Sequence, residues 1–386
     1  MVDEAKVRRV RVELGARDGY EIEIGRGTLD SLGEVSRRSL PRHAGRVALV
    51  SNRRVFALYG ARAVSSLRAA GFSVAPWLMG DGERYKSLQT VERALAFLAE
   101  TGLERGDAVA ALGGGVVGDL AGFAAAVYLR GVAYVQVPTT LLAQIDSSVG
   151  GKTAVNMRAG KNLVGAFHQP RAVLIDTESL RTLPRRELTA GWCEAIKQGA
   201  VGDRRLFERT RRFLEGEASV GHHVGASRED ELAELIATQC AFKARIVAND
   251  EREDVERTDR LSRRILNFGH TVGHALEAAT AYRRFRHGEA VGYGMLAAGE
   301  ISFRLGMLDG AELELLRRTV GLAGRLPRAA DLNVETILGA LRTDKKAIGG
   351  DVRWILLERL GRARIVSGRD ISTRILRSSL RAALRA

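Results

Sequence analysis

The sequence predicts two domains of different class: a parallel-sheet α/β domain over residues 1–184 and an all-α domain over residues 185–386. Three observations carry this. Short apolar runs alternate with helical patterns over the first half, as a sheet covered by helices requires. From Glu187 onward, long helical patterns dominate, with the change in character near Pro184. Strand-like runs then nearly vanish until Val352–Leu357.

Taken in order, Val7–Leu14 and Tyr20–Ile24 alternate apolar and polar residues around Gly15-Ala16-Arg17-Asp18-Gly19, the pattern of a hairpin. Arg46–Ser51 is a short apolar run suited to a buried parallel strand. A helix near Val55–Ala70, a strand near Phe72–Leu78, a helix over Leu88–Thr101 and a second buried strand over Asp107–Leu112 follow, then an apolar helix over Leu120–Val127. Beyond the boundary, helices are expected over Arg186–Ala200, Asp203–Leu214, Glu229–Val247, His270–Ala279, Ala290–Leu308 and Gly310–Val320. Glu217–Asp230 and Glu251–Arg264 read as charged loops or frayed helix ends.

With 386 residues, 45% hydrophobic and 27% charged, the chain has ordinary globular composition and ample core. No apolar run approaches a membrane span, and Met1–Lys6 lacks the apolar core of a signal peptide. Two cysteines, Cys193 and Cys240, make no disulfide framework, so a cytoplasmic protein is expected. The net charge of +14 raises nucleic acid or a membrane surface as partners. Dispersed arginines and only 5% aromatic residues argue against both and for a solvated basic surface or a cleft for a small anion. The expectation is no nucleic acid and no membrane.

Gly113-Gly114-Gly115-Val116-Val117-Gly118 fits G-x-G-x-x-G between a strand and a helix, the context in which a backbone turn and helix N–H groups meet a pyrophosphate. It lies late in its domain, and no acidic residue ends a strand ~20 residues on, where Pro138-Thr139-Thr140 stands. This points to nucleotide binding on a variant sheet. Gly150-Gly151-Lys152-Thr153 mimics the end of a P-loop, but Asp146 replaces the required first glycine, so a nucleoside triphosphatase is rejected. Val135–Pro170 is dense in polar residues and glycine and reads as a loop-rich ligand wall.

Three of the seven histidines fall within Asn267–Glu289. His270 and His274 share a helix face, which suits either a metal pair or two satisfied polar residues. On spacing alone these readings weigh equally. Gly269 and Gly273 favour function, because each weakens a helix by about 1 kcal/mol and calls for a reason such as close approach of a ligand.

Several long motifs carry a resemblance: Gly113–Phe123, Val137–Thr153, Gly160–Pro170 and Leu266–Glu277. Together they resemble 3-dehydroquinate synthase, in the family's order, and the likeness runs from Val47 to about Leu360. The resemblance implies a Rossmann-like NAD-binding α/β domain, a helical metal-binding domain and an active site in the cleft between them. It implies the substrate 3-deoxy-D-arabino-heptulosonate 7-phosphate. NAD oxidises the C5 hydroxyl, the ketone acidifies C6–H, phosphate leaves, hydride returns, and an intramolecular aldol closes the carbocycle to 3-dehydroquinate. It further implies a homodimer in the shikimate pathway.

Residue by residue, the resemblance places a Zn²⁺ or Co²⁺ site on Glu194, His270 and His287, and catalytic roles on Asp146, Lys197, Glu194 and His274. Glu194 and Lys197 are three apart on one helix, so both can face one site; in isolation they would read as a surface ion pair. Lys152, Asn162, Asn267 and His274 match positions around the substrate phosphate, Lys243 and Arg263 positions near its carboxylate, and Arg130 one that reaches across a dimer interface. Lys346, in Asp344-Lys345-Lys346, matches a lysine that contacts substrate, with Lys345 the alternative. The NAD pattern falls on Asn52, Glu83, Lys86, Gly114, Gly115, Val116, Asp119, Thr139, Thr140, Lys161 and Thr182.

This chain departs from the family in places. Asn52 stands where the family often has an acid. The charged link Asp254–Ser262 is longer than usual, which leaves Arg263 against Arg264 open. Cys193 replaces the usual alanine and reads as a small core residue, and Ala154 replaces a common glycine. Competing readings are a sister cyclase acting on an amino analogue or on sedoheptulose 7-phosphate, a metal-dependent alcohol dehydrogenase that releases NADH, and a nucleic-acid-binding protein motivated by charge.

Overall fold

The computed structural model describes residues 7–15, 17–220, 226–347 and 352–385. The chain forms two compact units, Met1–Leu183 with Gly225–Ala248, and Pro184–Val224 with Asn249–Ala386. The segment Gly225–Ala248, expected in the second domain, groups with the first.

The first unit opens with the antiparallel hairpin β1 (Arg8–Leu14) and β2 (Arg17–Gly25). After α1 (Leu32–Ser39) come β3 (Arg46–Asn52), α2 (Arg53–Val55), a π-helical turn Phe56–Gly60 and α3 (Ala61–Ala69). The next elements are β4 (Ser73–Met79), α4 (Leu88–Glu100), β5 (Ala108–Gly113), α5 (Gly115–Val127) and β6 (Ala133–Pro138). A separate antiparallel hairpin, β7 (Lys152–Met157) and β8 (Gly160–Phe167), precedes β9 (Ala172–Asp176). Val135–Pro170 is therefore more ordered than its loop-rich composition suggests.

The seven strands run in the order β1-β2-β9-β6-β5-β3-β4, parallel except for β1. β5 is buried along its whole length, as a strand covered on both faces must be. Its period of two sends Ala108, Ala110 and Leu112 into one core with Leu49, Leu67 and Leu174, and Val109 and Ala111 into another with Val91, Leu98 and Leu120. Because the strands are parallel, Asn52, Gly113 and Pro138 end on one edge, where open α/β sheets bind ligands.

The second unit begins with α6 (Arg185–Gly202) and α7 (Arg204–Val220). Helix α8 (Ala226–Asn249) belongs with the first unit over most of its length, and its Cys240 Sγ donates to the Gln144 carbonyl at 3.2 Å. Helix runs to Val220 and from Ala226, in the stretch expected to hold charged loops or frayed helix ends. The second unit continues with α9 (His270–Ala279), α10 (His287–Arg304), α11 (Gly310–Leu322), α12 (Val334–Ala347), a two-stranded ribbon β10 (Arg353–Arg359) and β11 (Arg362–Ser367), and α13 (Thr373–Leu384). The ribbon is an addition to an otherwise helical unit. Among the described residues, no helix is long and apolar enough to cross a membrane.

Candidate active site

In the first unit, β5 passes into α5 through Gly113-Gly114-Gly115. A Cβ on Gly114 would lie 2.9 Å from Thr140 Cγ2, one on Gly115 3.0 Å from Ser147 Oγ, and one on Gly118 2.8 Å from Gln136 Oε1. The glycines let α5 press against β6 and the segment after it and leave a cradle that a side chain would fill. Helix α5 starts without a side-chain cap, so the first-turn amides of Gly115 and Val116 are available to an anion.

Around this turn, Lys86 is only 5% exposed, and its Nζ donates to Asp119 Oδ2 and to Asn162 Oδ1, both at 2.5 Å. Burial pushes the Asp119 carboxyl above its ordinary range, against the pull of Lys86. Glu83 accepts from Asn156 Nδ2 at 2.8 Å and lies 3.9 Å from Lys161 Nζ. Thr139 N donates to the Gly113 carbonyl at 3.0 Å, and Thr182 Oγ1 lies 2.5 Å from the Tyr59 hydroxyl. Asn162, expected beside the substrate phosphate, accepts from Lys86 in a left-handed conformation (φ 55°) on the β7–β8 hairpin. The chemistry of this edge fits a dinucleotide: glycine-turn amides for the pyrophosphate, amide and carboxylate groups for hydroxyls.

Asn52 has a structural task at this edge. Its Oδ1 caps the next helix by accepting from Val55 N at 2.8 Å, and its Nδ2 donates to Asp81 Oδ1 at 3.1 Å. Asp81, just after β4, thus sets a carboxylate beside Asn52, a contact that sequence reasoning missed. The signal was available: Asp81-Gly82-Glu83 follows a parallel strand adjacent to β3.

Also in the first unit, Lys243 on α8 is 6% exposed and donates to the Asp146 carbonyl at 2.5 Å and to the Asp146 carboxylate. Two residues expected to serve one substrate are therefore in direct contact. Lys152 at the start of β7 and Arg130 are exposed; Arg130 (φ 66°) follows Leu129 (φ 48°) in an unusual pair of left-handed residues.

In the second unit, α6 is buried without a break from Thr189 to Val201, and this run includes Glu194 and Lys197. Lys197 Nζ lies 2.5 Å from Glu194 Oε2, with both side chains at most 2% exposed. This is a buried pair, not a surface one. It is an ion contact without hydrogen-bond geometry, and both Glu194 oxygens lack a hydrogen-bond partner. A buried carboxylate in that state is costly and suits a cation.

Glycines bring the histidines to it. A Cβ on Gly288 would lie 2.0 Å from the Ala190 carbonyl, so α10 crosses α6 one turn before Glu194. A Cβ on Gly269 (φ 80°) would lie 2.8 Å from the Val291 carbonyl, and one on Gly273 3.2 Å from Val291 N. These two glycines, read as making room for a ligand, make room for α10 instead. The crossing gathers His270, His274 and His287 so that their ligand atoms all lie within 4.8 Å of one another. His287 Nε2 is 3.7 Å from Glu194 Oε1.

The three imidazoles thus form the tight group, and Glu194 adjoins it through His287. His270 and His287 are half-buried, whereas His274 is exposed. His270 Nδ1 faces the Phe268 carbonyl at 3.3 Å, and His287 Nδ1 faces Glu277 Oε2 at 3.1 Å. Nitrogen and oxygen donors of this kind suit Zn²⁺ or Co²⁺. Cys193 takes no part: burial pushes its thiol up, beside Glu194, and it packs where a Cβ on Gly292 would come within 3.1 Å of its sulfur.

Asn267 is exposed and donates to Glu253 Oε1 at 3.0 Å. Arg263 is buried (3% exposed), with its N–H on Asp250 and its guanidinium on the Glu251 carbonyl at 2.7 Å. Arg264 instead reaches the Val255 carbonyl of the charged link at 2.7 Å. Lys346 lies on α12, and its side chain is outside the described residues.

Comparison with known proteins fits these groups. Residues 77–190 match the family model "3-dehydroquinate synthase N-terminal" and residues 191–347 match "3-dehydroquinate synthase C-terminal". The chain is 46% identical over 362 residues to a 3-dehydroquinate synthase of Pelotomaculum thermopropionicum, covering 93% of each chain. It is 44% identical over 374 residues to that of Bordetella pertussis, covering 95% of this chain and 99% of the relative. Among solved structures, 2-epi-5-epi-valiolone synthase from Streptomyces hygroscopicus subsp. jinggangensis 5008, with NAD⁺ and Zn²⁺ bound, is similar at TM-score 0.82 and 27% identity, over 97% of this chain and 99% of that one. 2-Deoxy-scyllo-inosose synthase, complexed with carbaglucose-6-phosphate, NAD⁺ and Co²⁺, is similar at TM-score 0.81 and 25% identity with the same coverage.

Proposed function

As the chain belongs to the 3-dehydroquinate synthase family, we propose that it converts 3-deoxy-D-arabino-heptulosonate 7-phosphate to 3-dehydroquinate and phosphate, a phosphate-eliminating lyase step of the shikimate pathway. NAD and a divalent cation are its cofactors. When bound, they supply a reversible hydride acceptor for C5 and a charge that polarises the C5 hydroxyl.

The chain's own residues divide the remaining work. The Gly115 and Val116 amides hold the pyrophosphate, with Gly114 and Asp119 beside them, and Lys86 and Glu83 with Lys161 fix the nucleotide's flank. Asn52, Thr139, Thr140 and Thr182 complete that edge. Glu194, His270 and His287 hold the cation. Lys197, one turn from Glu194, orients the hydroxyl to be oxidised. Asp146 and Lys243 act as one unit, the ammonium taking the substrate carboxylate with Arg263 and the Asp146 carboxylate accepting from a hydroxyl. Lys152, Asn162 and Asn267 carry the phosphate, and the exposed His274 imidazole exchanges a proton with it as it leaves. Lys346 joins this set.

We further infer a cytoplasmic homodimer in which Arg130 serves the neighbouring subunit. Support comes from the exposed apolar residues Val127 and Leu129 that flank it. The observation that carries the whole reading is the buried, hydrogen-bond-poor Glu194 beside three converging imidazoles. The test is product identification by NMR. The heptulosonate phosphate should yield 3-dehydroquinate, and sedoheptulose 7-phosphate should yield no cyclitol. The reverse preference would assign the chain to a sister cyclase.

A further inference from the structure

Helix α9 presents a carboxylate as well as two histidines on its working face. Glu277 lies seven residues after His270 and three after His274, so it shares their face. Unlike them it is buried, 2% exposed, in a stretch where Val272, Ala275 and Leu276 are buried too. A carboxylate in such surroundings requires a partner. Its Oε2 lies 3.1 Å from Nδ1 of His287, at the first residue of α10.

From this contact we infer that Glu277 is the positioning residue of the metal centre: it fixes the tautomer and ring orientation of His287. The inference rests on the metal-site reading above. An ionised carboxylate only accepts, so the imidazole proton sits on Nδ1 and the lone pair remains on Nε2. Nε2 is the nitrogen on the Glu194 side, 3.7 Å from Oε1. His270 follows the same polarity with a neutral acceptor, its Nδ1 facing the Phe268 carbonyl at 3.3 Å. Both imidazoles therefore face an acceptor with Nδ1, one a carbonyl and the other a carboxylate. The charged tether also makes the His287 ring a better donor. It spans two helices, so it locks the start of α10 onto α9 at the ligand.

The test uses full-length protein, freed of metal by chelation, as wild type, E277A, E277Q and H287A. Zinc dissociation constants come from competition with a chromophoric chelator. Ring tautomers come from ¹⁵N NMR of histidine-labelled protein, readable with seven histidines. E277A should bind zinc 10- to 100-fold more weakly than wild type, and E277Q by a smaller factor because it keeps an acceptor but loses the charge. In the metal-free protein the His287 signal should change from the Nδ1–H to the Nε2–H form in E277A, which a merely structural role would not produce. If E277A does not fold, E277Q decides. Wild-type zinc affinity in the folded variant, or an unchanged His287 tautomer in E277A, overturns the inference. Wild-type zinc affinity in H287A would instead overturn the metal-site reading itself, so the two failures are distinguishable.

Discussion

The Glu194–Lys197 pair offers a quantitative test of how the metal half is built. Both side chains are at most 2% exposed and their charges are 2.5 Å apart. Removing one member leaves the other as an uncompensated buried charge, which costs about 3–5 kcal/mol. Lys197→Met strands the carboxylate on a helix flanked by buried Trp192 and Ile196, and Glu194→Gln strands the ammonium. The double variant removes both charges at once, so its loss should fall short of the summed single losses by roughly 2–3 kcal/mol. For a unit of this size about 1 kcal/mol corresponds to roughly 2–4 °C, so each single variant should melt roughly 6–20 °C below wild type. Calorimetry in excess chelator is the assay. Added Zn²⁺ should recover much of the loss in Lys197→Met, where the carboxylate remains, and little in Glu194→Gln. Strictly additive losses, or a Lys197→Met protein that melts like wild type in chelator, would refute the reasoning.

Three other perturbations probe separate parts of the account. Gly115→Val should raise the NAD⁺ dissociation constant at least about tenfold by titration calorimetry, since its Cβ would start 3.0 Å from Ser147 Oγ inside the cradle; unchanged affinity would place the nucleotide elsewhere. His274→Ala should retain bound zinc by elemental analysis whereas His287→Ala loses it, and the opposite result would make the exposed imidazole the ligand. His168, stacked on Tyr134 at 5.2 Å, has its pKa lowered by burial, so it folds neutral. Its contribution to stability is present above the unfolded value near 6.5 and is lost as pH falls toward the folded one. Wild type should therefore lose more melting temperature than His168→Gln between pH 7.5 and 5, and parallel profiles would contradict this.

What the sequence made legible follows from periodicity. The β1–β2 hairpin, the buried strands β3 and β5 and the glycine turn into α5 each carry a local pattern set by their own residues. The β7–β8 hairpin was read as loop because its glycines and polar residues are common to both. Helix α8 packs with the first unit although the sequence placed it after the boundary, since its amphipathic pattern says that one face is covered but not by what. Gly269 and Gly273 showed that something approaches closely, and only the fold showed that it is α10. Glu277 was within reach through its spacing from His270 and His274. Asp81 was not identified because its contact with Asn52 depends on two strands becoming neighbours.

The central claim is that one chain oxidises, eliminates and reduces on a single bound substrate. The direct measurement is simultaneous recording of phosphate release and absorbance at the NADH wavelength, with the metal-loaded protein, catalytic NAD⁺ and excess heptulosonate phosphate. The account predicts phosphate far in excess of NAD⁺ with no accumulation of NADH. Steady NADH build-up in step with substrate loss would make the protein a dehydrogenase and contradict the account.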